Sequence, residues 1–179
     1  MKDGYVKNNK VLGVLGGMGP AASAEFLRIL TELSPAEIDQ EHPVIYAISG
    51  TDIPDRSSAI MKHGENPTTK LLQYLEKLVS NGADVLAVPC NTAHYFLENL
   101  PSHIEDKFIN IVEATLKKAQ ELGSEGAWIL STEGTRKTGL YQKYALKEGY
   151  LLYAPTEEQS RTIQKSIELV KYNELQGAG

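Results

Sequence analysis

The sequence predicts an α/β protein in which mostly parallel strands are flanked by helices. Short apolar runs alternate along the chain with segments whose apolar residues recur at helical spacing. Several of these runs lead into polar or glycine-rich segments that precede a helix, as the strands of a parallel sheet do. At 179 residues the chain is long enough for one domain or for two small ones.

The first part of the chain contains four predicted strands. They cover residues 11–15, 43–48, 85–88 and 108–111. After the first strand, Pro20 suits the first position of a helix, because its fixed φ matches a helix and no N–H is needed there. This helix is predicted to continue to Leu33. Asn66-Pro67 opens the next predicted helix, and Asn81-Gly82 ends it.

The alternation of strand and helix continues in the second part of the chain. The predicted elements are a helix at 112–122, strands at 126–130 and 150–154, and a helix at 156–175. The hydroxyl-rich segment 131–135 is chemically similar to 89–92, which predicts two similar halves, 1–110 and 111–179, that face one cleft. Two strands are fewer than the usual four to six of a sheet. Either a partner chain therefore completes the second sheet, as in a homodimer, or this domain is shortened and incomplete.

The composition argues against several function classes. The chain has 18 basic and 23 acidic residues, a net charge of −5 and no long run of like charge. This argues against nucleic acid and anionic membranes as partners. A single cysteine excludes a disulfide within the chain, and four scattered histidines form no recognisable metal site. A polar start and the lack of a long apolar segment predict a cytoplasmic protein.

The single cysteine, Cys90, follows the predicted strand 85–88 and precedes a predicted helix for which Asn91 or Thr92 is a suitable N-cap. Ligands of open α/β sheets collect at this end of the strands, and free backbone N–H groups at a helix start favour a thiolate. Two interpretations follow. Cys90 is either a reactive thiol in a binding site or a small buried apolar side chain.

A glycine-rich turn at residues 16–20 joins the first predicted strand to its helix and forms a potential anion site. The segment 17–22 fits the G-x-G-x-x-G/A pattern of dinucleotide-binding proteins, which also need an acidic residue about 20 positions later. Asp39 precedes the second strand and Asp52 lies too far along the chain. A small carboxylate ligand, or a tight turn without a ligand, is therefore preferred over a dinucleotide.

Arg56 ends a polar loop, residues 49–56, that follows the second predicted strand. Its planar guanidinium is suited to binding a carboxylate through two parallel hydrogen bonds. The alternative is an exposed arginine that pairs with Asp52 or Asp55.

Four motifs, taken together and in this order, resemble the aspartate/glutamate racemase family. They are Gly16-Gly17-Met18-Gly19-Pro20, Ile53-Pro54-Asp55-Arg56, Pro89-Cys90-Asn91-Thr92-Ala93-His94, and Thr132-Glu133-Gly134-Thr135 with Gly139-Leu140-Tyr141. The resemblance implies cofactor-independent racemisation of a small acidic amino acid. It also implies two α/β domains with the active site between them, where two cysteines face opposite sides of the substrate Cα.

The resemblance also implies roles for individual residues. Cys90 corresponds to the first-domain thiol, and the second cysteine belongs to a Gly-Cys-Thr-Glu motif that follows the last predicted helix in the family; this sequence ends before it. The implied substrate-binding residues are Met18, Gly19, Asp52, Arg56, Asn91, Thr92, Thr132, Thr135 and Lys171. Arg56 and Lys171 correspond to the positions that hold the substrate carboxylates, and Asp52 corresponds to a Gln in some relatives.

The chemistry of racemisation agrees with this set of residues. An amino-acid α-proton is very weakly acidic, so cations and oriented N–H groups must stabilise the carbanion in a dry cleft. Acid–base groups contribute about 10²–10⁴ in rate. With one thiol alone, we therefore expect removal of the α-proton but greatly slowed inversion at Cα. The alternative is a catalytically inactive domain of the same fold that binds a dicarboxylate or an amino acid.

Overall fold

The computed structural model describes residues 10–123 and 125–171. Its larger sheet has three parallel strands, β1 (Leu12–Gly16), β2 (Ile45–Ser49) and β3 (Val85–Ala87), in the order β2-β1-β3. Leu12 is the register partner of both Ile45 and Val85. The predicted parallel α/β architecture is confirmed for this part of the chain.

Helices flank the strands in both parts of the chain. They are α1 (Pro20–Leu33), α2 (Arg56–Ile60), α3 (Thr68–Ser80), α4 (Ser102–Glu105), α5 (Ile111–Leu122), α6 (Glu133–Thr138), α7 (Leu140–Lys147) and α8 (Glu157–Lys171). Two 3₁₀ helices cover Asp39–Glu41 and Thr92–Leu97. Pro20 begins α1, as its fixed φ predicts. The part of the last predicted helix beyond residue 171 lies outside the described residues.

Within the described residues, the buried apolar side chains form two clusters. The first packs α3 against the larger sheet and includes Leu15, Leu75 and Leu86. The second packs α5 against α7 and includes Val112 and Leu140. The predicted division at residues 110 and 111 stays a prediction, although each cluster draws its buried members from one side of it.

The predicted fourth strand, 108–111, is not a strand. Only a single bridge joins Phe108 to Leu86, and the Ile109 N–H donates to the Leu86 carbonyl. The Asn110 side chain then accepts from the N–H groups of Val112 and Glu113 and begins α5. The extended segment ends here because the Asn110 side chain accepts from N–H groups of the first helical turn, which have no partner within the helix.

The second sheet consists of β4 (Ala127–Trp128) and β5 (Leu152–Tyr153), which pair in parallel. Trp128 and Leu130 are 63% and 70% exposed, so apolar surface remains uncovered beside this sheet. Completion of the sheet by a partner chain stays a prediction. Among the described helices, none is both long and apolar enough to cross a membrane.

Candidate active site

A cavity of about 600 Å³ opens where the segments after β1, β2, β3 and β4 meet one side of α8. These segments leave the carboxyl ends of parallel strands, which is where open α/β sheets bind ligands. All the sequence-predicted site residues except Asp52 line the cavity. Loops from both parts of the chain therefore contribute to one site.

The glycine turn brings the backbone of residues 16–19 to the cavity wall. Gly17 has φ +89°, and a Cβ there would lie 2.6 Å from the Gly50 nitrogen, so only glycine fits. The Ser23 hydroxyl accepts from the Gly17 N–H at 2.9 Å and donates to the Gly19 carbonyl at 3.0 Å. Gly19 has no side chain to cap α1. The start of α1 is therefore open to an anion in the cavity.

Cys90 lies three residues beyond β3 and is half-buried at the cavity wall. The predicted helix after it is a six-residue 3₁₀ helix, and neither Asn91 nor Thr92 caps it. Both side chains bond elsewhere. The Tyr141 hydroxyl donates to Asn91 Oδ1, and burial raises the pKa of Tyr141, so this donor keeps its proton. Asn91 thus presents its amide nitrogen as a donor.

Three threonine hydroxyls connect the two parts of the chain at the cavity. Thr92 Oγ1 lies 2.9 Å from Thr132 Oγ1 and 2.9 Å from Thr135 Oγ1, and Thr132 and Thr135 lie 3.1 Å apart. Thr135 is only 1% exposed. This cluster holds the loop after β3 against α6, and that contact explains why Thr92 does not cap its own helix.

Arg56 is 8% exposed and is held by backbone carbonyls rather than by Asp52 or Asp55. Its Nη1 donates to the Ile53 carbonyl at 3.3 Å and to the Pro54 carbonyl at 3.1 Å, and its Nη2 donates to the Met18 carbonyl at 3.2 Å. Among the described atoms, its buried Nε has no partner. A buried N–H without an acceptor is costly. Arg56 is also one of the residues that line the cavity.

Lys171 and Asp55 both line the cavity beside the glycine turn. A Cβ on Gly19 would lie 3.5 Å from Lys171 Cγ, which places the lysine stem next to this turn. Burial raises the pKa of Asp55, but bonds from Ser58 and the charges of Arg56 and Lys171 outweigh it and hold the pKa below its ordinary value. Asp55 is therefore ionised near neutral pH.

Asp52 lies outside the cavity. Its carboxylate accepts from the Tyr74 hydroxyl at 2.6 Å and pairs with Lys70 Nζ at 2.8 Å. Tyr74 and Lys70 both belong to α3. Asp52 is therefore held by α3 in this arrangement, and its predicted contact with the substrate stays a prediction.

Residues 15–178 match the model of the Asp/Glu/hydantoin racemase family. The chain belongs to this racemase family. The resemblance inferred from the four motifs is thereby confirmed. No group of three or more His, Cys, Asp or Glu side chains within residues 10–123 and 125–171 is arranged to hold a metal ion.

Individual relatives of this racemase-family chain agree with the assignment. It is 30% identical over 139 residues to the broad specificity amino-acid racemase RacX of Bacillus subtilis, covering 74% of this chain and 59% of RacX. An aspartate racemase from Picrophilus torridus has a TM-score of 0.81 and 31% identity, covering 92% of this chain and 69% of that one. An aspartate racemase homologue from Pyrococcus horikoshii has the same fold, with a TM-score of 0.70 and 18% identity over 89% of this chain and 70% of that one.

Sequence reasoning missed two parts of this racemase-family site. Asp55 is the acidic group among the described lining residues, and its place beside Arg56 in the second motif is the signal that identifies it. The wall formed by α8 includes Ile163, Ile167 and Val170. Their spacing of four and three residues predicts one apolar helix face, but it does not reveal that this face borders a cavity.

His94 is a buried histidine directly beneath the Cys90 loop. It is 3% exposed, its Nδ1 lies 2.9 Å from the Cys90 carbonyl oxygen, and its Nε2 accepts from the Ile111 N–H at 3.1 Å. Its ring packs against Phe108 with centroids 5.1 Å apart. Burial lowers the pKa of His94 below its ordinary value, although the carbonyls of Cys90 and Ile109 favour the charged form.

This lowered pKa predicts a loss of stability in mild acid. Below about pH 6.5 the unfolded chain binds a proton at residue 94 that the folded chain does not bind, so the free energy of unfolding falls as the pH falls. The slope from this one group is at most about 1.4 kcal/mol per pH unit. Urea unfolding at several pH values measures it. The slope should persist in His103→Gln, an exposed control, and disappear in His94→Gln; an unchanged slope in His94→Gln contradicts the assignment.

Proposed function

We propose that this chain is a cofactor-independent amino-acid racemase of the aspartate type, with Cys90 as the base that removes the α-proton. One observation carries the proposal. The half-buried Cys90 thiol shares a cavity with the buried Arg56, whose Nε has no partner among the described atoms. A thiol base and a guanidinium that line the same cavity are what proton abstraction beside a carboxylate requires.

The α-carboxylate is assigned to Arg56 and the start of α1. The Arg56 guanidinium lines the cavity and supplies the positive charge, and the uncapped first turn of α1 adds backbone N–H donors. Because the carbonyls of Met18, Ile53 and Pro54 hold the guanidinium in place, it needs no reorganisation when charge develops on the carboxylate. The Arg56 guanidinium is therefore the group that stabilises the carbanion.

The other polar groups of the substrate have complementary partners. Asp55 is ionised and lines the cavity, so it accepts hydrogen bonds from the substrate ammonium. Lys171 also lines the cavity, and we assign it to a second, side-chain carboxylate. Met18 and Gly19 border the carboxylate region through their backbone. Asn91, Thr92, Thr132 and Thr135 offer the neutral donors that complete the site.

The proton transfer is a simple exchange of bonds. The Cys90 thiolate takes the α-proton and forms S–H, while the electron pair of the Cα–H bond moves into the carboxylate held by Arg56. Return of the proton from Cys90 regenerates the same enantiomer, whereas inversion needs a donor on the opposite face. The family's two-thiol mechanism supplies that donor from a second cysteine. The 179-residue sequence contains one cysteine, so we expect Cα–H exchange to be faster than inversion.

The alternative is an inactive amino-acid-binding domain of the same fold. The single cysteine favours it, because the second acid–base group contributes about 10²–10⁴ in rate. Two measurements separate the proposals. Calorimetry with L- and D-aspartate tests binding, and deuterium incorporation at Cα in D₂O tests proton abstraction. Binding together with exchange supports the racemase; binding without exchange supports the inactive domain.

Lys171→Ala tests the assignment of the acidic side chain. Loss of a charge-assisted hydrogen bond is expected to weaken aspartate binding by about tenfold or more, with a smaller effect on alanine binding. Calorimetry with both amino acids measures this. Asp52→Asn is the matched control, because Asp52 is charged and close in sequence to Arg56 but lies outside the cavity. Equal weakening of both amino acids by Lys171→Ala would contradict an acidic substrate.

The same proposal includes a domain boundary, a homodimer and a cellular location. The two separate apolar clusters support a domain boundary between residues 110 and 111. The exposed Trp128 and Leu130 beside the short second sheet support a homodimer. The chain spans 59% of the length of RacX. Racemase activity like that of RacX is therefore part of the proposal for this chain, and so is a cytoplasmic location.

A further inference from the structure

His94 connects the Cys90 loop to the start of α5, and its tautomer follows from its neighbours. The Ile111 backbone nitrogen is a donor, so the Nε2 atom that it faces at 3.1 Å must be an acceptor without a proton. The single proton of the neutral ring then lies on Nδ1 and is donated to the Cys90 carbonyl oxygen at 2.9 Å. Both bonds are inside the protein, because the side chain is 3% exposed.

The bond to Ile111 completes the start of α5. Asn110 Oδ1 accepts from Val112 N–H at 2.9 Å and is 3.4 Å from Glu113 N. His94 Nε2 accepts from the remaining first-turn donor, Ile111 N–H. The first turn of α5 is therefore capped jointly by its own Asn110 and by a side chain that lies 17 residues earlier.

The second hydrogen bond of His94, to the Cys90 carbonyl, fixes the backbone of a residue that lines the cavity. The peptide that follows Cys90 carries the carbonyl that His94 holds, and the Cys90 N–H donates to the Val88 carbonyl at 2.7 Å. Both backbone groups of Cys90 are thus fixed, which leaves the thiol little freedom except rotation about its side-chain bonds. We propose that His94 is a positioning residue, which sets the direction of the Cys90 thiol by tying its carbonyl to the first turn of α5.

This inference rests on the proposed function only for the role of the thiol, which is to remove the α-proton. Its test requires no catalysis. Cys90 is the single thiol of the 179-residue sequence, so alkylation by iodoacetamide, followed by mass spectrometry, reports its environment directly. Alkylation depends on the thiolate and on its access. A chain without racemase activity yields the same readings, so the two proposals fail separately.

Two variants separate the two bonds of His94. In His94→Asn the side-chain amide lies near the position of Nδ1 and retains a donor for the Cys90 carbonyl, whereas the acceptor for Ile111 is lost. In His94→Gln the amide reaches the position of Nε2 and retains the acceptor for Ile111, whereas the donor to Cys90 is lost. The exposed His103, which pairs with Glu76, is the control through His103→Gln.

The expected results differ between these variants. His94→Gln changes the alkylation rate of Cys90 by about two- to tenfold, the range that one hydrogen bond controls, while Ile111 keeps its protection from amide exchange. His94→Asn leaves the alkylation rate nearly unchanged but loses protection at Ile111. If both variants change alkylation equally, in proportion to their loss of stability, His94 has a structural role alone and the proposal is overturned.

A measurement on the unsubstituted protein covers the case in which a variant does not fold. Long-range proton–nitrogen NMR spectra at about pH 8 report which ring nitrogen carries the proton, and this pH is well above the ordinary pKa of histidine. The proposal requires the Nδ1–H tautomer at His94. A spectrum showing the Nε2–H tautomer would overturn it.

Discussion

Replacement of Cys90 by alanine is expected to abolish exchange of the aspartate Cα proton, lowering its rate by about 10²–10⁴ toward the buffer rate. The reason is that the thiol is removed from a cavity in which Asp55 is the one carboxylate among the described lining residues, and its lowered pKa makes it a weak base. Deuterium incorporation in D₂O, followed by mass spectrometry, measures the rate. Aspartate binding should change little, because the carboxylate donors remain.

Two further variants keep this prediction falsifiable. Cys90→Ser retains a side chain of nearly the same shape but a far weaker acid, so it should be as inactive as the alanine variant. Thr135→Val tests the hydroxyl cluster without touching the thiol, and it should retain measurable exchange. Exchange at the unsubstituted rate in Cys90→Ala would show that another group removes the proton, and would end the assignment of Cys90 as the base.

Replacement of Arg56 by methionine is expected to cost both stability and binding. The carbonyls of Ile53, Pro54 and Met18 lose their donor in a region that is buried from water. Leaving such groups unpaired should lower the free energy of unfolding by about 3–5 kcal/mol, a large part of the total for a small domain. Binding of aspartate should fall below detection, because the unpartnered Nε is lost as well. Urea unfolding and calorimetry measure the two effects.

The matched control for Arg56 is Arg28 on α1. Its side chain is 54% exposed and pairs with Glu25 and Glu32 on the same helix. Arg28→Met should change stability by at most about 0.5 kcal/mol and leave binding intact. A stable Arg56→Met protein that still binds aspartate would show that the guanidinium holds neither the loop nor the ligand.

Much of the backbone was predictable because its signals are local. Pro20 begins α1, and the apolar spacing of Leu71, Leu75 and Leu78 matches the buried face of α3. These features depend on neighbours within one or two helical turns. The same locality explains the error at the predicted fourth strand. Residues 108–111 are apolar enough for a strand, but the Asn110 cap converts their end into α5.

Many of the residues around the cavity could be named from the sequence, but their hydrogen bonds could not. The motifs and the family resemblance implied that Gly19, Arg56, Cys90 and Lys171 belong to one site, and these residues line one cavity. They did not indicate that Arg56 is held by carbonyls, since the acceptor at Met18 lies 38 residues away. Nor did they reveal that Asn91 accepts a hydrogen bond from Tyr141, 50 residues further on, instead of capping its own helix.

The sequence by itself determined the parallel α/β fold, the glycine turn and the racemase family, because each is encoded by short-range spacing of residue types. The tertiary structure alone decided that Asp52 pairs with Lys70, that Asp55 lines the cavity, and that His94 joins Cys90 to Ile111. The physical reason is that a polar side chain bonds to whichever partner the packing of distant elements brings within about 3 Å.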